Sequence, residues 1–147
     1  MQVTGEQFVN LPPQTVFGLF SRLELSGEYS RPVIERTRIT EGPIGVGTQF
    51  HAVDQWPGRR VHFTVDITSF VEPELIEARW SKPMEGGWRA AFRPVDKGTQ
   101  LSFEASMQPG GALRLLEPVL RPWAQRQTRA FLRDFTTWAE ARAVADE

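Results

Sequence analysis

Apolar and polar residues alternate with a period of two through most of the chain up to Gln108. This period is typical of strands that bury one face and expose the other to water. A first strand is predicted over Gln2–Val9. Six more candidates follow, separated by turns that contain glycine or proline: Val33–Thr40, Thr48–Trp56, Arg60–Val71, Leu75–Ser81, Trp88–Val95 and Thr99–Gln108. Their regular spacing predicts an antiparallel sheet of consecutive hairpins.

Three segments have the period of a helix instead. Pro12-Pro13 predicts the start of a short helix that runs through Phe20, because proline is tolerated in a first turn. A weaker helical or turn segment follows over Leu23–Arg31. A long helix is predicted from Gly110 to Ala145, with a kink or break at its prolines, Pro118 and Pro122. Its aromatic residues share one arc and its arginines the opposite one: Trp123, Phe131, Phe135 and Trp138 against Arg126, Arg129 and Arg133.

Glycine-bearing turns mark where the chain reverses. The segments Trp56-Pro57-Gly58-Arg59 and Asp96-Lys97-Gly98 each supply a glycine for the positive φ that a tight reversal requires. Gly42, Gly45 and Gly47 form a glycine-rich turn between two strands. No Gly-Lys-Ser/Thr follows it and the next element alternates like a strand, which argues against a phosphate-binding loop.

Counting alternate residues assigns each strand an apolar face that turns toward the last helix. The inward set is predicted to comprise Phe50, Ala52 and Asp54, then Val61, Phe63, Val65 and Ile67, then Ile76, Ala78 and Trp80, then Trp88, Ala90 and Phe92, and finally Leu101, Phe103, Ala105 and Met107. Alanines stand among large aromatic residues in this set. We therefore expect room between sheet and helix, although the aromatic side chains could also fill it as a dry core.

The strand that begins at Val33 has two alternative phases. Turning Val33 and Ile39 inward brings Glu35 with them, whereas the opposite phase buries Arg36 and Arg38. The first phase buries one charge rather than two and costs less free energy. Glu35 is therefore predicted to face the interior.

Two polar residues, Gln127 and Asp134, fall within the aromatic arc of the last helix. Buried polar groups need hydrogen-bond partners, so these residues require either a structural link or a wet cavity in which they anchor a ligand. Both interpretations stay open at this point. A carboxyl group enclosed by apolar side chains is suited to act as a general acid or base. Glu35 and Asp134 are therefore the candidates for acid–base catalysis.

Composition narrows the function further. There are 17 basic and 18 acidic residues, so no strong field attracts nucleic acid. Cysteine is absent, which excludes thiolate nucleophiles and cysteine-ligated metals. His51 and His62 are assigned to the solvent side, so neither a metal site nor a serine triad is expected.

The start of the chain lacks an export signal, and no stretch approaches about 18 apolar residues. We expect a soluble cytoplasmic protein, and the excess of arginine over lysine is typical of GC-rich bacterial genes.

Several short segments occur in the order and spacing of a known family. They are Pro12–Phe17, Tyr29–Ile34, Gly42–Thr48, Gly98–Leu101 and Gly111–Pro118. Over nearly its whole length the chain resembles the SRPBCC superfamily, with its START-like or helix-grip fold, and within it the polyketide cyclase/dehydrase and lipid transport family. The resemblance implies a single α+β domain over residues 1–147, ordered β-α-α-β6-α. In that fold a seven-stranded curved antiparallel sheet wraps around a long C-terminal helix. A hydrophobic cavity is also implied, but no particular chemistry.

The expected function is binding of a small hydrophobic or aromatic ligand, lipid-like or polyketide-like, between sheet and helix. Two alternatives stay open: a polyketide cyclase or dehydratase that uses a cavity carboxylate as acid or base, and a protein-interaction domain with a filled core. No cofactor, metal, nucleic acid or stable membrane insertion is expected, and a homodimer is compatible with the sequence. The candidate ligand-binding residues are Tyr29, Phe50, Phe63, Trp80, Trp88, Phe92, Phe103, Trp123, Gln127 and Phe131.

Overall fold

A computed structural model describes residues 1–145. Its strands are β1 (Gln2–Val9), β2 (Val33–Arg38), β3 (Gln49–Trp56), β4 (Arg59–Val71), β5 (Leu75–Trp80), β6 (Gly86–Val95) and β7 (Gly98–Met107). Its α-helices are α1 (Pro13–Ser21) and α2 (Glu117–Ala145), and 3₁₀ helices cover Leu23–Glu28 and Gly111–Leu116. The predicted elements are all present, and their ends differ from the predicted ends by a few residues.

The seven strands form one antiparallel sheet in the order β1-β7-β6-β5-β4-β3-β2. Strands β2 to β7 pair as consecutive hairpins, as their spacing predicts, and β1 adds to the free edge of β7. The fold class is confirmed: a curved antiparallel sheet packs against a long C-terminal helix. No helix among the described residues is long and apolar enough to cross a membrane.

The two tight hairpin turns differ in how they reverse the chain. Gly58 has a φ of 77°, as predicted for the turn between β3 and β4. In the turn between β6 and β7 the prediction is wrong, because Asp96 takes the positive φ of 53°. Aspartate tolerates this conformation because its short polar side chain bonds locally. Gly98 serves a close approach instead, since a Cβ there would lie 2.7 Å from the carbonyl oxygen of Val9.

The face of α2 that packs on the sheet is built largely from small side chains. The buried residues of this face are Ala124, Thr128, Leu132, Phe135, Thr136 and Ala139. The helix approaches β1 so closely that a Cβ on Gly5 would lie 2.7 Å from Leu132 Cδ1. Of the predicted aromatic arc, Phe135 belongs to this buried face, whereas Trp123, Phe131 and Trp138 are half-buried on its flank. Arg126, Arg129 and Arg133 are exposed, as predicted.

The break in the last helical segment comes before its first proline. Residues Gly111–Leu116 form a 3₁₀ helix, and the α-helix begins at Glu117. Pro118 lies in the first turn, where its missing N–H has no intrahelical role. Pro122 is accommodated inside the helix.

The interior of the sheet has two unlike ends. At one end α1 covers the sheet, and its Phe17 ring packs 5.3 Å from the ring of Phe92. Phe50, Ile67 and Leu101 are almost completely buried there. At the other end β4 and β6 begin and β3, β5 and β7 end. Side chains at this second end line an unfilled space beneath the first half of α2.

Candidate functional site

A cavity of about 230 Å³, partly open to solvent, lies between the sheet and the first half of α2. Aliphatic and aromatic side chains form most of its wall. Many of the residues predicted from the sequence as ligand contacts line it: Tyr29, Phe63, Trp80, Trp88, Phe103, Trp123, Gln127 and Phe131. The space predicted between sheet and helix is therefore present. That these residues bind a ligand stays a prediction.

Phe50 and Phe92, two further predicted ligand contacts, do not line this cavity. Phe50 is 0% exposed at the start of β3, and Phe92 packs 5.4 Å from Phe20 at the end covered by α1. Both face inward, as alternation predicts, but at the filled end of the sheet. Period-two counting identifies the face of a strand and does not identify which end of that face is empty.

The predicted phase of β2 is wrong. Glu35 lies on the outer surface, with its side chain 49% exposed and its Oε2 3.9 Å from His51 Nε2. Arg36 lines the cavity instead, together with Val33. Val33 and Arg36 are three positions apart and share a face because the pairing register with β3 shifts between Val33 and Glu35. This bulge inserts one residue and inverts the phase of the rest of the strand.

Arg36 forms an ion pair with Asp54 inside the cavity. Arg36 Nη1 lies 2.6 Å from Asp54 Oδ1, and the two side chains are 14% and 16% exposed. Arg36 is paired with Ala52, which has a small side chain, so the guanidinium reaches across to lie 5.6 Å from the Phe63 ring centre. Because each charge compensates the other, both can occupy an apolar cavity.

The sequence contained a signal for this pair that the assignment of single strands does not use. Asp54 is predicted inward, and an inward carboxylate needs a cationic or hydrogen-bonding partner. The neighbouring strand offers an arginine only in the opposite phase, which turns Arg36 inward. Treating β2 and β3 together would have favoured that phase, because the two buried charges neutralise each other.

Asp134 does not reach the cavity. Its side chain is 36% exposed, and its Oδ1 lies 3.5 Å from Nε of Arg133. It occupies the same flank of α2 as Trp123 and Gln127, but nearer the C-terminal end. An α-helix rises 1.5 Å per residue, so residues on one flank reach different depths of the fold. The second candidate for acid–base catalysis is therefore also outside the cavity, whereas Gln127 lines it.

Tyr29 closes the end of the cavity next to Asp134. Its ring packs 4.9 Å from Trp138, 5.3 Å from Phe135 and 5.7 Å from Phe131, and the residue is 8% exposed. Burial raises the pKa of the Tyr29 phenol to about 12, against the opposing effects of a hydrogen bond with the Ser26 side chain and the charge of Arg36. The phenol is therefore a neutral hydrogen-bonding group at neutral pH.

The raised pKa of Tyr29 predicts a loss of stability in alkali. Above pH 10 the unfolded chain ionises this phenol while the folded chain keeps its proton, so stability is complete below the unfolded pKa and falls as the pH rises toward the folded pKa. Between about pH 9 and about pH 11 the free energy of unfolding should fall by roughly 1.3 kcal/mol from this group alone. Urea denaturation at several pH values measures the change.

The variant Tyr29→Phe is the control for this experiment, because it lacks the ionising group and retains the ring. The difference in unfolding free energy between wild type and variant isolates the tyrosine from all other titrations. The chain has a single tyrosine, so the near-ultraviolet absorbance of phenolate reports its pKa in the folded protein directly. A midpoint close to 10 would contradict the prediction.

The two histidines lie on the outer face of the sheet, as predicted. Their ring centres are 5.7 Å apart, on β3 and β4. Within residues 1–145 no group of three or more histidine, aspartate and glutamate side chains is placed to hold a metal ion. The polar groups of the cavity lining include the Arg36–Asp54 pair, Tyr29, Gln127, nearby hydroxyls and Nε1 of Trp80, which is buried without a hydrogen-bond partner in the described part of the chain.

Comparison with known proteins gives a family and a set of similar folds. The family described as polyketide cyclase / dehydrase and lipid transport matches residues 1–140. No curated protein sequence matches the chain.

Solved structures with the same fold include TTHA0849 from Thermus thermophilus, with a TM-score of 0.84, 16% identity, and coverage of 97% of this chain and 99% of that one. The Zhui aromatase/cyclase from Streptomyces sp. R1128 has a TM-score of 0.80, 15% identity and coverage of 97% and 95%. A START superfamily protein from Mycobacterium smegmatis has a TM-score of 0.80, 13% identity and coverage of 95% and 97%. At these identities the likeness is one of fold.

Proposed function

We propose that this chain, which belongs to the polyketide cyclase / dehydrase and lipid transport family, binds a small hydrophobic or aromatic molecule in the cavity between its sheet and α2. The observation that carries the proposal is the cavity of about 230 Å³, whose wall is mostly apolar. Apolar concave sites with a few polar groups are the usual form of small-molecule binding sites. A protein-interaction domain with a filled core would have no such space.

Filling the cavity from its wall should weaken binding. Ala105 lines the cavity on β7 and pairs with Trp88 across the strands. In Ala105→Phe the added ring would occupy the space that a ligand needs. We expect the affinity for 2-naphthol and for 2-methylnaphthalene to fall by at least about tenfold. Isothermal titration calorimetry on the full chain measures both dissociation constants.

The neighbouring substitution Ser106→Phe is the matched control. Ser106 lies on the same strand with its side chain on the outer, exposed face of the sheet. The substitution adds the same aromatic ring to the protein but places it outside the cavity. Both dissociation constants should therefore stay within about twofold of the wild-type values. Failure of wild type to bind either compound, or equal weakening by the two substitutions, would contradict the proposed site.

A catalytic role is the second candidate, because the family description includes cyclases and dehydrases. Glu35 and Asp134, the residues first proposed for it, do not line the cavity. Among residues 1–145, Asp54 is the carboxylate that does, and it is paired with Arg36. If the chain catalysed a cyclisation or dehydration, Asp54→Asn would stop turnover of a poly-ketone substrate while leaving 2-methylnaphthalene bound. Equal turnover by Asp54→Asn and wild type would exclude Asp54 as the acid or base.

A further inference from the structure

The charged side chains that line the cavity sit at one end of it. Arg36 and Asp54 are the charged side chains that line the cavity within residues 1–145, and they belong to neighbouring strands at the β2 edge of the sheet. Tyr29 and Ser26 lie at the same end and carry hydroxyl groups. We call these four residues the polar end of the cavity. Its net charge is zero because the guanidinium and the carboxylate are paired.

The ion pair retains unused hydrogen-bonding capacity. Arg36 Nη1 donates to Asp54 Oδ1 at 2.6 Å and to the carbonyl oxygen of Glu35 at 3.0 Å. A guanidinium has five N–H donors and a carboxylate accepts up to about four hydrogen bonds. Among the described residues, Arg36 Nε and Nη2 and Asp54 Oδ2 have no further side-chain partner, and none of these three atoms is both buried and unpartnered, so they are open to water or to a ligand. Donors and acceptors therefore remain available side by side.

Charge decides which ligand group can use this capacity. An anionic group would be attracted to Arg36 but would lie against Asp54, leaving a net negative charge in an apolar cavity. A cationic group would be attracted to Asp54 but would lie against Arg36, leaving a net positive charge in the cavity. A purely apolar molecule would strip water from the polar end and leave its free donors and acceptors unsatisfied. A neutral hydroxyl both donates and accepts, so it can satisfy both members of the pair.

The volume of the cavity limits the size of the rest of the ligand. A cavity of about 150 Å³ lined by apolar side chains is large enough to hold benzene. The cavity of about 230 Å³ in this protein therefore admits one or two rings, and its aromatic walls at Phe63, Trp88 and Phe103 suit stacking and edge contacts. A long acyl chain or a four-ring skeleton exceeds this volume and would extend through the open side of the cavity into solvent.

We propose that the cavity selects a neutral aromatic molecule of one or two rings with a hydroxyl group, of the phenol or naphthol class, which binds against the intact Arg36–Asp54 pair. This inference rests on the proposed ligand-binding function and makes it more specific. Arg36 donates to the ligand oxygen, and the ligand hydroxyl donates to Asp54. The rings occupy the aromatic part of the cavity.

A matched ligand series tests the inference on the wild-type chain. The three probes are 2-naphthol, 2-methylnaphthalene, which replaces the hydroxyl by a methyl group of similar size, and 2-naphthoate, which carries a negative charge. We expect 2-naphthol to bind at least about tenfold more tightly than either of the others by calorimetry. Equal affinity for 2-methylnaphthalene, or tightest binding of 2-naphthoate, would overturn the inference while leaving the proposed function intact. Absence of binding by all three would overturn both.

A pair of variants assigns the preference to the polar end. The double variant Arg36→Met with Asp54→Leu removes both charges and keeps similar volumes, so the preference for 2-naphthol over 2-methylnaphthalene should fall to less than about threefold. Arg38→Met is the matched control, because Arg38 lies on the same strand over the Phe50 ring and outside the cavity lining. It should retain the full preference. A double variant that keeps the full preference would overturn the inference, and the wild-type ligand series decides it even if that variant fails to fold.

Discussion

Replacing Phe20 by alanine is expected to lower the free energy of unfolding by about 3–5 kcal/mol. Phe20 is 2% exposed and lies where the filled end of the interior meets the cavity. Its ring packs at 5.3 to 6.5 Å from five other aromatic rings. These rings belong to the sheet and to α2: Trp88, Phe92, Phe103, Phe131 and Phe135. The substitution removes a ring that joins α1 to both.

Urea denaturation of Phe20→Ala measures this loss, with Phe8→Ala as the control. Phe8 is 43% exposed on the outer face of β1, so its truncation should cost less than half as much. The space freed at position 20 adjoins the cavity and should enlarge it. A loss below about 1.5 kcal/mol at Phe20 would mean that the aromatic cluster does not hold α1 in place.

Breaking the Arg36–Asp54 pair from one side is expected to be costly, whereas removing both partners is not. Asp54→Leu leaves a guanidinium that is largely shielded from water and has lost its counter-charge. The free energy of unfolding should fall by about 2–4 kcal/mol. The double variant Arg36→Met with Asp54→Leu should lie within about 1 kcal/mol of wild type, because two apolar side chains of similar volume replace the pair.

An exposed ion pair on the same sheet provides the control for this comparison of single and double variants. Arg89 Nε and Glu77 Oε1 are 3.8 Å apart on the outer face, and the side chains are 54% and 38% exposed. Single substitutions there should change stability by no more than about 1 kcal/mol, because water screens each charge. If Asp54→Leu were as stable as the double variant, Arg36 would have found another partner or bulk water, and the pair would not be a buried one.

Much of the fold could be predicted because its signals are local. The alternation of Val61, Phe63, Val65 and Ile67 correctly assigned the inner face of β4, since successive side chains on a strand point to opposite sides. The hairpins followed from short turns between alternating segments. The exception is the turn at Asp96 and Gly98, where the residue with positive φ was predicted wrongly because both aspartate and glycine tolerate that conformation. Only the packing of Phe8 and Val9 requires glycine at position 98.

The candidate site was predicted less well because its contents depend on several strands at once. Aromatic residues at inward positions were identified correctly, yet Phe50 and Phe92 share that property with Phe63 and Trp88 and lie in the filled core. Arg36 faces the cavity and Glu35 faces solvent, the reverse of the prediction, because a bulge in β2 shifts the register by one residue. Asp134 shares a helix flank with Gln127 but lies beyond the ring of Tyr29.

The sequence by itself determined the architecture: seven strands with one apolar face each, two α-helices, and an aromatic flank along the last helix. Those features are periodic, and each is specified by residues close together in the chain. Only the tertiary structure decided that the interior is empty at one end, and that a bulge in β2 turns Arg36 toward Asp54 there. A void is the difference between the space enclosed by the whole sheet and helix and the volume of side chains from distant segments. No local period records that difference.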